Sequence, residues 1–462
     1  MPTRFKNWLK TFTLREVTSL LFTALAMFAP SGTRYILYTG HILGHPVEPG
    51  TVSVFGMQIV AVIFAVLALW PHGWKGVSDV ARTPIGLFAG CLALVALMSS
   101  FQAEDPLAGL TSASFIITGV AVFYAIIIFR PDAREVLTSF VGGAIFQTII
   151  GGYQFLSQSA FASKWLGMAT HSADQLGAFV VETDNGRWLR AYGSLSHPNV
   201  FGLYVGIGLL MAVGLAAYRG HGKHMHYYAF MPFIATGLLF SFSRSSILAF
   251  AAGFIWLVVS AYGSNAAPDY RRIIVPSFII IVVTVGVIGY FYSEPLRTRS
   301  EAEGRLEVQS ITDRVNQVDD ALSLISRHML TGVGIGQMPL ALAKESATER
   351  NWFQYDYVHN VPLLVAVETG LIGLGVWLIF VILTFMTIFD RLKRNLLVGY
   401  GVTVYAAAFI SMIVASMFDH FLWSSWFGQL LFWMVAGLLH STYLEIRKVP
   451  EKVMPKPVEV KA

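Results

Sequence analysis

The chain has 462 residues, of which 55% are apolar and only 13% are charged. A soluble protein of this length does not tolerate so few charges, so the composition excludes an ordinary soluble enzyme. The net charge of +5 does not indicate nucleic-acid binding, because the basic residues lie between apolar runs and at the ends. The single cysteine, Cys91, lies inside an apolar run, which excludes a disulfide framework and a thiol metal site.

Apolar runs of about 20 residues recur along the chain, and each is long enough to cross a hydrocarbon core about 30 Å thick. We predict an all-α polytopic membrane protein with about 12 transmembrane helices, forming a single transmembrane domain over 1–444. The first apolar run follows a basic segment without a small-residue cleavage site, so we expect a retained helix. The predicted spans are 16–33, 54–71, 84–100, 107–129, 136–155, 198–218, 227–242, 245–262, 273–292, 361–389, 397–418 and 425–444.

The distribution of Lys and Arg predicts the orientation of the spans. With the N-terminus inside, every short inner loop carries at least two basic residues, and the alternation never breaks. Both termini are therefore predicted to be cytoplasmic, with a basic, solvated tail over 445–462. The two longest loops, 156–197 and 293–360, then lie outside, and loops of this length are commonly functional.

The loop 293–360 contains an amphipathic helical pattern between spans 9 and 10. Ser310 followed by Asp313 predicts a capping box at its start, and Gly332-Val-Gly-Ile-Gly336 predicts its end. We expect the apolar face to pack on the bundle or to lie in the membrane interface. The apolar positions that repeat at helical spacing are Ile311, Val315, Val318, Leu322, Ile325 and Met329.

An ionisable histidine, His359, precedes a long apolar helix at the end of this loop. Imidazole suits general-base catalysis at neutral pH, although a structural cap is an equally ordinary role for a histidine there. Asn360 and Pro362 are typical of a helix start. Glu368 lies about two turns into the apolar helix, where a carboxylate needs either an arginine or hydrogen bonds from a neighbouring loop.

Two arginines lie in unusual positions on the predicted outer side. Arg244 occupies a tight turn between two spans, where its guanidinium matches either a phosphate ligand or a structural ion pair with Glu368. Arg314 is predicted in the first turn of the amphipathic helix, where a cation opposes the helix dipole. An anionic ligand would compensate, and so would the adjacent Asp313.

The first long loop contains a second set of candidate binding residues. Arg187 and Arg190 flank Trp188, a combination that suits a phosphate and a sugar ring but equally an interfacial aromatic belt. His197 and Asn199 follow in a Ser-His-Pro-Asn sequence, which is either a second active-site element or a plain helix start.

Several sequence patterns of other transferases are missing. No outer loop contains an Asp-x-Asp pair, and Asp319 and Asp320 point about 100° apart on a helix. The glycines of 332–336 do not form a nucleotide-binding P-loop. We therefore expect no metal, no nucleotide and no cofactor, and a donor substrate that is already activated.

These motifs resemble, in order and spacing, the O-antigen ligase family, which includes Wzy-type polysaccharide polymerases and bacterial O-linked oligosaccharyltransferases. The resembling motifs are Arg190-Ala-Tyr-Gly-Ser-Leu-Ser-His-Pro-Asn199, Phe-Ser-Arg244-Ser-Ser, Asp313-Arg314, Gly332-Val-Gly-Ile-Gly336, Val358-His-Asn-Val-Pro-Leu-Leu and Glu368-Thr-Gly-Leu-Ile-Gly373. The resemblance covers about residues 190–375. It implies a GT-C-type glycosyltransferase of the bacterial inner membrane with an active site on the periplasmic face.

The resemblance also implies roles for individual residues. The donor would be a glycan on undecaprenyl diphosphate, and the acceptor a glycan or lipid A-core. His359 matches the family's essential histidine and is the implied catalytic base. Arg244 and Arg314 match its essential arginines and are expected at the diphosphate. Arg190 matches an arginine of the preceding loop with a looser role, and the reaction would invert the anomeric centre without metal.

Alternative functions differ in their acceptor or in their class. O-antigen ligase, with a lipid A-core acceptor, is the preferred interpretation. A Wzy-type polymerase is the alternative, because a second long loop also carries arginines. Protein O-oligosaccharyltransferase and polysaccharide transporter are further alternatives, but the sequence lacks the half-to-half repeat of many transporters.

Overall fold

A computed structural model describes residues 13–219, 226–263, 268–301, 304–346, 350–393 and 400–441. Helices over these residues coincide with all twelve predicted spans, with ends that differ by at most about five residues. The predicted tail over 445–462 and the basic residues of 1–12 lie outside the described residues. The helices are α1 (Leu14–Phe28), α2 (Gly56–Leu69), α3 (Gly73–Ala81), α4 (Pro84–Ser100), α5 (Pro106–Phe129), α6 (Ala133–Ser157), α7 (Pro198–Arg219), α8 (His226–Phe240), α9 (Arg244–Gly263), α10 (Pro268–Phe291), α11 (Ser293–Glu301), α12 (Arg305–Arg327), α13 (Met338–Glu345), α14 (Val361–Lys393), α15 (Tyr400–Ser416), α16 (Phe421–Ser424) and α17 (Trp426–Ser441).

The described helices make this a multi-pass membrane protein. Seven segments are long and apolar enough to cross a membrane, and three shorter apolar helices accompany them. The twelve-span count stays a prediction. The seven are Gly56–Ala81, Pro106–Phe129, Ala133–Ser157, Pro198–Tyr218, Arg244–Gly263, Tyr270–Phe291 and Val361–Leu392.

Helix α7 lies at the centre of the bundle. It packs against α6, α8, α9, α10 and α15, and its apolar stretch is completely buried. The ends of a central, fully apolar helix can move little, because its side chains are packed against neighbouring helices on every side. The residues at its start are therefore held firmly relative to the surrounding helices.

The described residues also form three two-stranded antiparallel sheets, which the sequence does not predict. The longest, β1 (Arg34–Ile42) with β2 (His45–Phe55), turns through Leu43 and Gly44, both at positive φ. That turn geometry matches the twist of a hairpin. The hairpin was missed because exposed apolar side chains along β1 break the alternation that predicts strands. The other strands are β3 (Ser159–Ala160), β4 (His171–Ser172), β5 (Val180–Thr183) and β6 (Gly186–Leu189).

Segments that the alternation of spans places outside do contact one another in the structure. These contacts join the connection after α1 to the one after α6, the connection after α4 to α13, and the connection after α8 to α11. Three contacts carry this: Gly32 N with Leu166 O at 3.0 Å, Lys344 Nζ with Glu104 at 3.1 Å, and Arg299 Nε with Phe242 O at 3.0 Å.

Helix α12 is the predicted amphipathic helix, but it begins earlier than expected. Its N-cap is Gly304, so the predicted capping box at Ser310 and Asp313 is wrong. Its inward face buries Glu307 and Gln317 together with the apolar Ala321 and Leu324. The predicted apolar face is largely exposed, with Ile311 and Val315 outward, and so fits the membrane interface better than the bundle.

A glycine turn docks α12 onto α14. Val333 N donates to Val367 O at 2.9 Å, and Gly334 N donates to Glu368 O at 3.0 Å. Helix α14 is interrupted at this contact by Gly370, whose φ of 67° favours glycine. A Cβ on Gly370 would lie 2.1 Å from the carbonyl oxygen of Leu330, so no larger residue fits. This break is not predicted from the sequence, and it frees backbone groups for the turn.

We predict that exposed positions in both long loops react with an impermeant thiol reagent in intact spheroplasts. In a Cys91→Ala background, Leu176→Cys and Ser323→Cys should be labelled without permeabilisation, because both side chains are exposed in loops predicted outside. Trp74→Cys, on the predicted inner side, should be labelled only after permeabilisation. The reverse pattern would overturn the orientation.

Candidate functional site

The candidate site lies where three helices begin at the predicted outer end of the bundle. Helices α7, α14 and α16 start at Pro198, Val361 and Phe421 respectively. Polar side chains at or just before these starts face one another, although they lie far apart in the sequence. The amphipathic α12 covers them from the side and contributes further polar groups.

His359 is held by a capped helix start on one side and by α12 on the other. Asn360 Oδ1 accepts the N–H of Leu363 at 3.0 Å, so Asn360 caps α14 as predicted, with Pro362 in the first turn. His359 Nδ1 lies 2.7 Å from the Oε1 atom of Gln317. Because an amide oxygen only accepts, Nδ1 carries the proton and Nε2 keeps its lone pair.

The buried carboxylate of Asp419 is the centre of the site. Its Oδ2 accepts a hydrogen bond of 2.8 Å from Asn199 Nδ2. Burial alone would raise the pKa of this carboxyl, but His359, His420 and His197, whenever they are protonated, and the Asn199 hydrogen bond lower it, so that the pKa lies below its ordinary value. Asp419 is therefore ionised and attracts positive charge on the imidazoles around it.

His359 lies between opposing influences on its protonation. Burial lowers the pKa of its imidazole below the ordinary value of 6.5. The Asp419 and Asp356 carboxylates act to raise that pKa, whereas His420 and Arg314 act to lower it further. Burial prevails, so His359 is neutral at pH 7 and able to accept a proton.

His197 and Asn199 serve both as a helix start and as part of the site. His197 Nδ1 accepts the backbone N–H of Asn199 at 2.9 Å, and burial holds the pKa of His197 well below its ordinary value. Arg190 donates 2.8 Å hydrogen bonds to Asn199 Oδ1 and to the carbonyl of Ser241. Burial, with a smaller effect of Arg299, lowers the pKa of Arg190 to about 9, so its guanidinium stays charged.

Arg244 pairs with a residue that the sequence analysis did not select. Its guanidinium contacts Glu307 at 3.2 Å and the carbonyl of Arg299 at 3.3 Å. Arg299 binds the same Glu307 carboxylate. The expected alternative, an ion pair between Arg244 and Glu368, does not form.

Arg314 joins these groups from the inward face of α12. It lies well inside the helix, so the expectation of a first-turn cation opposing the dipole is wrong. Burial lowers the pKa of Arg314; Asp419 and Glu307 oppose that change, while Arg299 and Arg244 reinforce it. Its positive charge therefore interacts with the carboxylates of both Asp419 and Glu307. We call Arg190, Arg244, Arg299 and Arg314 the arginine cluster.

Two predicted residues lie apart from this arrangement. Glu368 is buried in α14, where its Oε2 accepts a 2.8 Å hydrogen bond from Trp423 Nε1. This fulfils the expectation of a hydrogen bond from a neighbouring segment. Arg187 lies on β6 across from Glu182, and among the described residues no hydrogen bond joins its side chain to the arginine cluster.

Five residues of the site were missed in the sequence: Arg299, Glu307, Gln317, Asp419 and His420. Asp419 left a usable signal, because it is the one acidic residue between Asp390 and Glu445 and falls in a predicted outer turn. A carboxylate between two spans is costly unless it has a function or a partner. His420 is the neighbour of Asp419 in the same turn, whereas Arg299, Glu307 and Gln317 lie in a polar stretch where one charged or amide residue looks like any other.

One set of residues in the site could hold a metal ion. His359, Asp419 and His420 each offer one ligand atom, and these atoms all lie within 4.8 Å of one another. Two histidines with one carboxylate suit several divalent transition metals. The expectation of a metal-independent site therefore needs an experimental test.

The fold and the site define a multi-pass membrane protein with a neutral histidine, a buried carboxylate and an arginine cluster at one end of its helices. The model of a family described as O-antigen ligase matches residues 229–378, about one third of the chain, and confirms the resemblance to this family. The family supports, in general terms, O-antigen ligase or a related glycan polymerase activity. No curated protein matches the chain.

The matched range contains part of the site. Arg244, Arg314 and His359 lie within it, as do the newly found Arg299 and Glu307. The sequence around Arg190 to Asn199 and the Asp419 turn lie outside it. Their place in the site rests on the geometry described above.

We predict that Asn199→Ala lowers stability by about 2 kcal/mol or more, because Arg190 and Asp419 each lose a buried partner. The melting temperature of the purified protein in detergent would report the loss. Asn316→Ala, an exposed position on α12, is the matched control and should melt like the wild type. Equal melting of both variants would contradict this account of the site.

Proposed function

We propose that the chain is a GT-C-type glycosyltransferase of the bacterial inner membrane, with both termini cytoplasmic. It moves a glycan from undecaprenyl diphosphate to an acceptor hydroxyl at the periplasmic face, with lipid A-core as the acceptor. The observation that carries this proposal is a neutral His359 beside the arginine cluster at one end of the membrane helices. A base next to a cationic anion site is what glycan transfer from a diphosphate requires.

His359 acts as the general base. Its Nε2 takes the proton of the acceptor hydroxyl while the hydroxyl oxygen attacks the anomeric carbon of the donor. The bond from that carbon to the diphosphate oxygen breaks, and its electron pair leaves with the diphosphate. Attack from the side opposite the leaving group inverts the anomeric centre. The Asp419 carboxylate stabilises the imidazolium that forms, and Gln317 holds the ring by Nδ1.

The arginine cluster binds the donor and stabilises the leaving diphosphate. Arg244 and Arg314 are the proposed ligands, because Arg244 is partly exposed and Arg314 acts electrostatically on the same carboxylates. Guanidinium groups bind phosphate oxygens through paired donors, and such interactions strengthen as charge develops. Arg190 already bonds to protein acceptors, so we assign it the positioning of Asn199 and of the turn before Arg244.

The contacts of Arg190 also bear on the choice between ligase and polymerase. The polymerase alternative drew on a second outer loop with arginines. Arg190 donates to Ser241 and Asn199, and Arg187 lies on a hairpin, so neither favours a second glycan site. The surface glycans of a deletion strain test the choice. Lipid A-core without any glycan supports ligase, whereas lipid A-core capped by one repeat unit would identify a polymerase.

We predict that Arg244→Lys is nearly as damaging to transfer as Arg244→Ala. A lysine supplies one compact charge and does not replace the forked donors of a guanidinium. The measurement is the transfer rate of purified protein with undecaprenyl diphosphate-linked glycan. Arg297→Lys, in an exposed ion pair with Glu301, is the control and should stay near wild type. An Arg244→Lys variant with most of its activity would reduce Arg244 to a charge anchor.

We predict that His359→Ala and His359→Gln each lose roughly two to four orders of magnitude in turnover while still binding donor. Glutamine keeps a hydrogen bond but accepts no proton. His328→Gln, at the exposed end of α12, is the matched control. A His359→Gln variant with near-normal turnover would make this residue a structural cap.

The pH profile follows from the direction of the His359 pKa shift. Only the neutral imidazole is active, and burial lowers the pKa below 6.5, so activity should persist at pH 6.5 and fall on further acidification.

Chelator should leave the rate of glycan transfer unchanged. Loss of activity in chelator that magnesium or zinc restores would assign the His359, Asp419 and His420 set to a metal.

A further inference from the structure

An acidic side chain already fills the part of the arginine cluster that faces Arg244. The Glu307 carboxylate is buried, with its side chain only 4% exposed, and it binds both Arg244 and Arg299. Arg299 is oriented by a second hydrogen bond, from its Nε to the carbonyl of Phe242 at 3.0 Å. Arg244 donates to the carbonyl of Arg299 at 3.3 Å. Two guanidinium groups from separate helices therefore converge on one pair of oxygens.

A carboxylate held by two converging guanidinium groups resembles a bound phosphate in charge and in the placement of its oxygens. The same donors therefore suit an anionic oxygen of a diphosphate. The Arg244 side chain is 40% exposed, so a ligand can reach it from solvent, whereas Glu307 is enclosed. The site thus combines the accessible guanidinium of Arg244 with the enclosed carboxylate of Glu307.

The charge balance of the site favours competition between Glu307 and an incoming anion. The four guanidinium groups of the arginine cluster face two carboxylates, Glu307 and Asp419. A diphosphate that enters this site meets repulsion from Glu307 as well as attraction from the arginines. Glu307 lies in the first turn of α12, close to the helix start, where a carboxylate is stabilised when it leaves the arginines.

We propose that Glu307 is an internal counter-ion that occupies the donor's anion site and competes with the diphosphate, and that Arg299 is a third ligand of that diphosphate. This inference rests on the proposed function, because it assigns the anion to the lipid-linked donor. Glu307 holds Arg244 and Arg299 in place while the donor is absent. The diphosphate then replaces the carboxylate on these guanidinium groups.

The test is the affinity of the full chain, in nanodiscs at fixed ionic strength, for undecaprenyl diphosphate without glycan. Glu307→Gln should bind about tenfold more tightly, because a repelling charge is removed. Arg299→Gln should bind about tenfold more weakly, because a ligand is removed. Glu345→Gln removes an equally ion-paired carboxylate, beside Arg327 and His328, and should leave the affinity unchanged.

A second comparison keeps the inference testable if the Glu307→Gln variant fails to fold. The double variant Arg299→Gln with Glu307→Gln removes both partners of the buried Arg299–Glu307 pair, and only the partly exposed Arg244 then lacks its carboxylate. It should bind undecaprenyl diphosphate more tightly than Arg299→Gln alone. Equal or weaker binding of the double variant, or weaker binding of a folded Glu307→Gln, would overturn the inference.

The Arg244→Gln variant distinguishes failure of the proposed diphosphate site from failure of the proposed competition by Glu307. If this variant binds undecaprenyl diphosphate as the wild type does, the proposed diphosphate site is wrong and the role of Glu307 falls with it. If Arg244→Gln weakens binding but Glu307→Gln does not tighten it, only the competition by Glu307 is wrong.

Discussion

The site depends on one buried carboxylate that ties together three distant parts of the chain. Asp419 accepts a hydrogen bond from Asn199 at the start of α7 and lies against His359 at the start of α14. An ionised carboxylate at the edge of a membrane is stable only if hydrogen bonds or nearby cations compensate its lost hydration. The helix starts must therefore stay together, and in the proposed mechanism the Asp419 carboxylate stabilises the imidazolium of His359.

The amphipathic α12 supplies polar side chains to the site, of which membrane-spanning helices can carry only a few. A bilayer-spanning helix admits few polar residues, whereas the inward face of α12 brings Gln317, Arg314 and Glu307 to the site. Its position is set by the glycine turn that docks on the interrupted α14 at Gly370. Its apolar face remains outward, which suits a position in the membrane interface. A long outer helix thus completes a site on an apolar bundle.

Local patterns predicted much of this architecture, since hydropathy and helical period depend on neighbouring residues. All twelve apolar runs are helices, α12 is a helix, and Asn360 caps α14. Tertiary pairings were not predictable in the same way. The partner of Arg244 is Glu307 and not Glu368, because the glycine turn and α12 settle which acid reaches it. The predicted cap at Ser310 failed because polar residues extend the helix back to Arg305 without a local stop signal.

The central claim is that the arginine cluster holds the donor's diphosphate beside His359. The most direct measurement is an electron cryomicroscopy structure of the full chain in nanodiscs with undecaprenyl diphosphate-linked glycan bound. The account predicts diphosphate density within hydrogen-bond distance of the Arg244 and Arg314 guanidinium groups, with the first sugar facing His359. Diphosphate density at any other place, or a first sugar turned away from His359, would contradict it.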